Sequence, residues 1–318
     1  MNRIRPATLL VLLVVAAACT RSNRSLLDDL EQEATLSPRA DADRMLAADS
    51  WGLPLAPGAG TVTLPMEDAT LPVVKGVVNS VEIPLVLDTG ASLVMLSGGA
   101  AADTRVYLPR GDPIEAVSPG YNPVYRRGVV DSLELPSLRF GPGVVGVPAK
   151  EASGRAPGGL STRSYGIAGC PVLGHFIVTF DFRAQEVRLL PHRQPASAPL
   201  FVEVGVNGKT FWLLVDSGAS RIYLEPWAAL ELDLISEKRA RRYRSKSAAF
   251  GKGKITKVEI DTLHVADETF LEVDAAVVRT FGEIRHGSGW RPAGLLGLAG
   301  LGERSWTVDF AARTLSVE

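Results

Sequence analysis

Sulfur, histidine and aromatic rings are scarce in this chain, and neither sign of charge is in excess. Two cysteines in 318 residues exclude a disulfide-stapled scaffold. Thirty-four basic residues against 35 acidic ones leave a net charge of −1, without the broad basic surface that a nucleic-acid partner requires. No uncharged apolar run reaches the ~20 residues of a membrane span, which excludes a multi-spanning membrane protein. The four histidines, His175, His192, His264 and His286, show no H-E-x-x-H or comparable ligand spacing, so no metal or other cofactor is expected. Apolar residues are not scarce. At 46% hydrophobic the chain is able to bury a core, and wholesale disorder is excluded.

The N-terminus carries an address. Arg3 and Arg5 precede an apolar stretch from Ala7 to Ala18, and Ala16-Ala17-Ala18 runs directly into Cys19. A basic start, a short apolar core and small residues before a cut describe a secretory signal over 1–18. Cysteine after three small residues resembles the bacterial lipobox. That resemblance implies acylation of Cys19 and a chain held on a cell-envelope membrane, facing the periplasm or the exterior. Residues 19–58 then read as a tether, broken by Ser37-Pro38 and closed by Pro54, Pro57 and Gly58.

Beyond residue 58 the chain becomes short Val-, Leu-, Ile- and Phe-rich runs separated by turn residues, the pattern of antiparallel β structure. Val78-Asn79-Ser80 and Val206-Asn207-Gly208 fall where tight hairpins belong. Helical signals are few; the best is Pro226–Leu234, with proline in its first turn. An internal repeat organises the rest. Leu85-Val86-Leu87-Asp88-Thr89-Gly90-Ala91-Ser92 returns 128 residues later as Leu213-Leu214-Val215-Asp216-Ser217-Gly218-Ala219-Ser220. Gly166-Ile167-Ala168-Gly169 returns as Gly294-Leu295-Leu296-Gly297, and Thr179-Phe180-Asp181-Phe182 as Thr307-Val308-Asp309-Phe310, at the same offset. Three blocks with one offset describe a duplicated lobe, spanning 59–192 and 195–318.

One Asp-Thr-Gly after a strand is ordinary turn chemistry. Two copies related by an internal repeat are not. Each apolar strand delivers a carboxylate into a low-dielectric interior, where a lone charge is costly and a second carboxyl allows a shared proton. These residues resemble the aspartic proteases of the pepsin and retropepsin type, over most of 59–318. The resemblance implies an all-β, bilobal fold with the active site between duplicated lobes, and a monomer whose dyad forms within one chain. It makes Asp88 and Asp216 the catalytic pair. Thr89 and Ser217 would exchange hydrogen bonds across the pseudo-dyad, with Gly90 and Gly218 allowing close approach. Gly169 and Gly297 would close the turns that support the catalytic loops.

A flap is expected in each lobe. The first lies near Ser118–Arg127, around Tyr121 and Tyr125; the second lies within the basic stretch Lys238–Lys257, which includes Tyr243. That stretch reads either as a solvated hairpin or as a surface for acidic substrates or anionic headgroups. The implied activity is hydrolysis of a polypeptide by an activated water, without metal or covalent intermediate. The alternative is a catalytically inactive, membrane-tethered peptide-binding protein on the same fold. Neither Ser92 nor Ser220 sits in a G-x-S-x-G elbow, and Cys170 reads as a buried, inert thiol rather than a nucleophile.

Overall fold

The computed structural model describes residues 51, 60–108, 114–115, 124–149, 164–192, 194, 196, 198–241, 243, 255–281 and 291–318. The signal segment, Cys19, nearly all of the tether and Tyr121 lie outside them. Short strands dominate, with four brief helices and one 3-10 turn among the described residues. The apolar runs alternate in burial, as strands packed on one face require: Phe176–Asp181 buries every second residue.

Each lobe is built around the strand that ends in its Asp-[Thr/Ser]-Gly. In the first, Val81–Leu87 lies in a nine-stranded sheet between Val73–Val78 and Gly166–Ala168. In the second, Lys209–Asp216 lies in a closed six-stranded barrel between Phe201–Val206 and Gly294–Gly297. The supporting strand runs parallel to the Asp strand in both cases, pairing Ala168 with Leu87 and Gly297 with Asp216. A parallel neighbour cannot arrive through a tight hairpin. It is reached by the long excursion that forms the rest of the lobe.

The two hairpin turns read from the sequence form as expected. Asn79 and Ser80 have φ of 47° and 69°, and Asn207 and Gly208 have φ of 47° and 77°. Positive φ at both central positions matches the right-handed twist of the flanking strands, and asparagine tolerates it. Each asparagine is also tied down. Asn79 Oδ1 accepts from the Asp131 amide at 2.7 Å, and Asn207 Oδ1 from the Thr262 amide at 3.0 Å. The helix Pro226–Glu231 starts with its proline in the first turn but stops short of Leu234.

A third, five-stranded sheet joins the lobes. Val62–Pro65, Glu186–Pro191 and Phe176–Asp181 come from the first, Ser305–Asp309 and Thr314–Val317 from the second. Its central pairing sets Thr179 opposite Thr307, and their hydroxyls meet at 2.8 Å. Residues one repeat apart thus touch, which places a pseudo-two-fold axis between them. Beneath this sheet the few aromatics are concentrated. Phe140, Phe176, Phe180, Trp306 and Phe310 are fully buried, in one apolar cluster that is continuous across both lobes.

Trp51 departs from the sequence reading. It sits in the stretch assigned to the tether, yet it is buried in the core of the first lobe with its ring laid flat on Gly143. A Cβ at Gly143 would stand 2.3 Å from Trp51 Cε2, so only glycine allows this seat. Linker-like composition does not register one large side chain that finds a distant socket. The first lobe therefore begins no later than Trp51.

Candidate active site

Asp88 and Asp216 terminate equivalent strands and meet at the pseudo-two-fold axis. The approach is close enough to be written in the glycines. A Cβ on Gly90 would lie 2.9 Å from Cγ of Asp216, and one on Gly218 would lie 2.7 Å from both Cγ and Oδ2 of Asp88. Each glycine lets its own loop pass over the carboxyl of the other lobe.

The neighbouring hydroxyls lock the two loops together. Ser217 Oγ accepts from the Thr89 amide, and Thr89 Oγ1 accepts from the Ser217 amide, both at 3.0 Å. Each hydroxyl then donates back across the axis, Thr89 to the Val215 carbonyl at 2.9 Å and Ser217 to the Leu87 carbonyl at 2.7 Å. Both side chains are fully buried, so all four bonds form away from water.

The supporting turns hold each loop from below. The Asp88 amide donates to the Ala168 carbonyl, and the Cys170 amide donates to the Ala91 carbonyl at 2.8 Å. Any side chain at Gly169 would strike the Leu93 and Ala91 carbonyls at 2.3 and 2.4 Å. Gly297 is wedged in the same way: a Cβ there would lie 2.2 Å from the Arg221 carbonyl oxygen. Cys170 is fully buried, its Sγ donating to the Thr89 carbonyl at 3.3 Å, and burial raises its pKa far above the ordinary thiol value. It is a packing residue under the loop.

The two carboxyls differ. Asp88 Oδ1 accepts from the Gly90 amide at 2.8 Å and the Ala91 amide at 3.1 Å. Oδ1 of Asp216 is buried with no partner at hydrogen-bonding geometry, although the Gly218 and Ala219 amides still favour its charge weakly. Burial raises the pKa of both. For Asp88 the rise is opposed by its amides and by a hydrogen bond from Asp216. For Asp216 the rise is larger, because the charge of Asp88 and the hydrogen bond to it add to burial. Burial thus favours the protonated form at both carboxyls, more strongly at Asp216, and the two titrate as a coupled pair. No hydroxyl follows either Gly: Ala91 and Ala219 are buried methyl groups, and only backbone amides serve the dyad.

The family comparison agrees with this arrangement. Residues 202–299 match the family model described as Aspartyl protease, a span that contains Asp216, Ser217, Gly218 and Gly297. The all-β, bilobal architecture is consistent with a retropepsin-like fold. Among solved structures, a retropepsin-like aspartic protease from Rickettsia conorii is similar at 19% identity and a TM-score of 0.30. The match covers 41% of this chain and 89% of that one. No curated protein matches the sequence.

The flap residues fare unequally in this retropepsin-like frame. Ile114–Glu115 pairs antiparallel with the start of Val124–Val130, Ile114 opposite Tyr125, so a hairpin brackets 116–123 where the first flap was expected. Tyr125 is buried on its return strand, within reach of Gly146 and Met95. Tyr243 is a correction. It is buried in the core of the second lobe, its hydroxyl 2.5 Å from Thr256 Oγ1, which leaves no exposed ring to lay over a peptide. The hydroxyl gives tyrosine a partner inside an apolar core, a role that residue type alone does not reveal. Much of the basic stretch, 242 and 244–254, lies outside the described residues.

Sequence reasoning passed over Glu225. It is 2% exposed, and its Oε1 accepts from the amides of Thr280 at 2.5 Å and Phe281 at 2.6 Å. Its repeat-mate is Ser97, so comparing the two lobes position by position would have exposed it as a charge where the other lobe has a neutral cap. Among the described residues no cluster of three or more His, Cys, Asp or Glu could hold a metal ion. No described helix is long and apolar enough to cross a membrane.

Proposed function

We propose that the chain is an aspartic endopeptidase that hydrolyses polypeptides by a proton-sharing Asp88–Asp216 dyad, on a cell-envelope membrane to which acylated Cys19 holds it. The observation that carries the catalytic part is the unequal solvation of the pair. Asp88, whose carboxyl accepts from two amides, acts in its ionised form and takes a proton from a water at the axis as that water attacks the scissile carbonyl carbon. Asp216 donates its proton to the carbonyl oxygen, giving a tetrahedral diol. In the collapse of the diol the C–N bond breaks as Asp88 gives its proton to the leaving nitrogen and Asp216 takes a proton back from a diol hydroxyl, which restores the starting state of the pair. No covalent enzyme intermediate forms. A polypeptide is the substrate that the aspartyl-protease family match over 202–299 supports.

Intact Asp88, Asp216, Thr89 and Ser217 favour this reading over an inactive peptide-binding relative. Incubating the full chain with a peptide library, with and without a statine-type inhibitor, tests it. Cleavage that the inhibitor stops and a chelator leaves unchanged is expected; binding of peptides without cleavage would establish the alternative. The anchor has its own test. Cys19→Ser should leave the membrane fraction, and a variant that stays bound without detergent would exclude acylation as the attachment. One acyl chain anchors only marginally, so the full multi-chain modification is required.

A further inference from the structure

Glu225 stands where three segments of the second lobe converge. It follows the strand Ile222–Leu224 and precedes the helix Pro226–Glu231. Its carboxylate takes the amides of Thr280 and Phe281, just past the end of the strand Glu268–Val277. Its own amide donates to the Ala293 carbonyl at 2.7 Å, and Ala293 immediately precedes the strand Gly294–Gly297 that supports Asp216. One residue thus binds both ends of the chain that leads into the Asp216 support.

The first lobe makes the equivalent junction without a charge. Ser97 Oγ accepts from the Ala100 and Tyr165 amides, both at 3.1 Å, and Tyr165 precedes the support strand Gly166–Ala168. A hydroxyl there does not titrate in the working range of an enzyme. A carboxyl does, and only the lobe of Asp216 has one.

The groups around Glu225 act on it in opposite senses. The two amides favour the carboxylate, as do the guanidinium groups of Arg279, next to Thr280, and Arg291, which lies 3.6 Å over the Trp227 ring of the adjoining helix. Burial disfavours it and dominates, raising the pKa to about 7. Upstream of the clasp the strand is held by its pairing with Ile222–Leu224 and by the Val278 amide, which donates to the Leu224 carbonyl at 3.0 Å; Thr280 Oγ1 itself is buried and makes no hydrogen bond among the described residues.

We propose that Glu225 is a proton-operated positioning residue: as a carboxylate it clasps Thr280 and Phe281 and steadies the approach to the Asp216 support strand, and protonation loosens that clasp. When the carboxyl takes a proton, both amides lose their charged acceptor, and a hydrogen bond to a neutral oxygen is about half as strong. The consequence for Asp216 rests on the aspartic-protease reading; the clasp itself does not.

Hydrogen exchange on the full chain tests it, with protection at each pH referred to the intrinsic exchange rate. Through a local opening that frees the two amides while Glu225 stays buried, protection of Thr280 and Phe281 should fall about tenfold between pH 8 and pH 6, with a midpoint near neutrality. That fall is opposite in sense to the global stability that the raised pKa confers. The Tyr165 amide, held by Ser97, should stay level and serves as the internal control. Glu225→Gln and Glu225→Ser, the latter copying the first lobe, should abolish the pH dependence at 280–281. Flat protection in the wild-type chain, an equal fall at Tyr165, or an unchanged midpoint in either variant would overturn the clasp. The wild-type profile decides alone if neither variant folds. In a cleavage assay the clasp adds a near-neutral inflection that Glu225→Gln removes. A chain that cleaves nothing yet titrates at 280–281 would refute the protease reading and leave the clasp standing.

Discussion

At the scale of single residues, the site depends on what is missing as much as on what is there. Gly90 and Gly218 work by lacking a Cβ, since either methyl would enter the space of the opposing carboxyl. Gly90→Ala and Gly218→Ala should therefore fold but lose on the order of 10²-fold in kcat/KM, the scale of a small misplacement of reacting groups. Circular dichroism beside the kinetics separates this from unfolding. Ala91 and Ala219 lack the hydroxyl that would lower the dyad's pKa values, and burial raises both. A raised acid keeps its proton to higher pH, so the one-proton state of the pair moves upward with it. The pH–rate profile should peak in mildly acidic to neutral buffer. A maximum in strongly acidic buffer, where pepsin's dyad first titrates, would show that other donors replace the missing hydroxyls.

At the scale of elements, the Asp strands, the Gly turns that support them and the two Asn hairpins were legible in the sequence. Each is written as a local pattern: an apolar run ending in Asp-[Thr/Ser]-Gly, a paired apolar-Gly turn, an Asn-led turn between strands. The shared 128-residue offset then gave the lobes, because a repeat encodes long-range pairing that single patterns do not. What escaped was single side chains whose meaning depends on a distant socket. Trp51 lies in linker-like sequence, and its place on Gly143 becomes visible only when the strand Gly143–Pro148 is folded. Tyr243 has the composition of a flap aromatic but serves as a core residue satisfied by Thr256. Glu225 follows a short strand like any surface acid, and nothing local announces the amides of Thr280 and Phe281. The Trp51 seat makes a measurable claim. Trp51→Ala should cost about 3–5 kcal/mol in urea unfolding, the usual range for emptying a large aromatic site. A chain beginning at residue 59 should be destabilised to the same degree. No change in either would mean that Trp51 only covers a surface.

At the scale of the whole molecule, duplication supplies two near-equivalent halves, and small departures from equivalence assign their work. The hydroxyl lattice of Thr89 and Ser217 and the contact of Thr179 with Thr307 keep the symmetry; the solvation of the two carboxyls breaks it. The raised carboxyls also set how stability follows pH. Burial raises the carboxyls of Asp88, Asp216 and Glu225, so each binds its proton more tightly in the fold than in the unfolded chain. Stability is therefore lost as pH rises from about 4 towards 7, and Glu225 alone, raised from 4.5 to about 7, accounts for roughly 3 kcal/mol. His175, kept neutral by burial, acts in the opposite sense below its ordinary 6.5. Urea midpoints should be higher at pH 5 than at pH 8, and the difference should shrink in Glu225→Gln. The central claim is that Asp88 and Asp216 act as one catalytic unit. Peptide cleavage by Asp88→Asn, Asp216→Asn and the double variant tests it most directly. Each single change should remove cleavage by at least ~10³-fold, and the double change should be no worse, since either loss destroys the shared-proton pair. Substantial cleavage by either single variant would contradict the account.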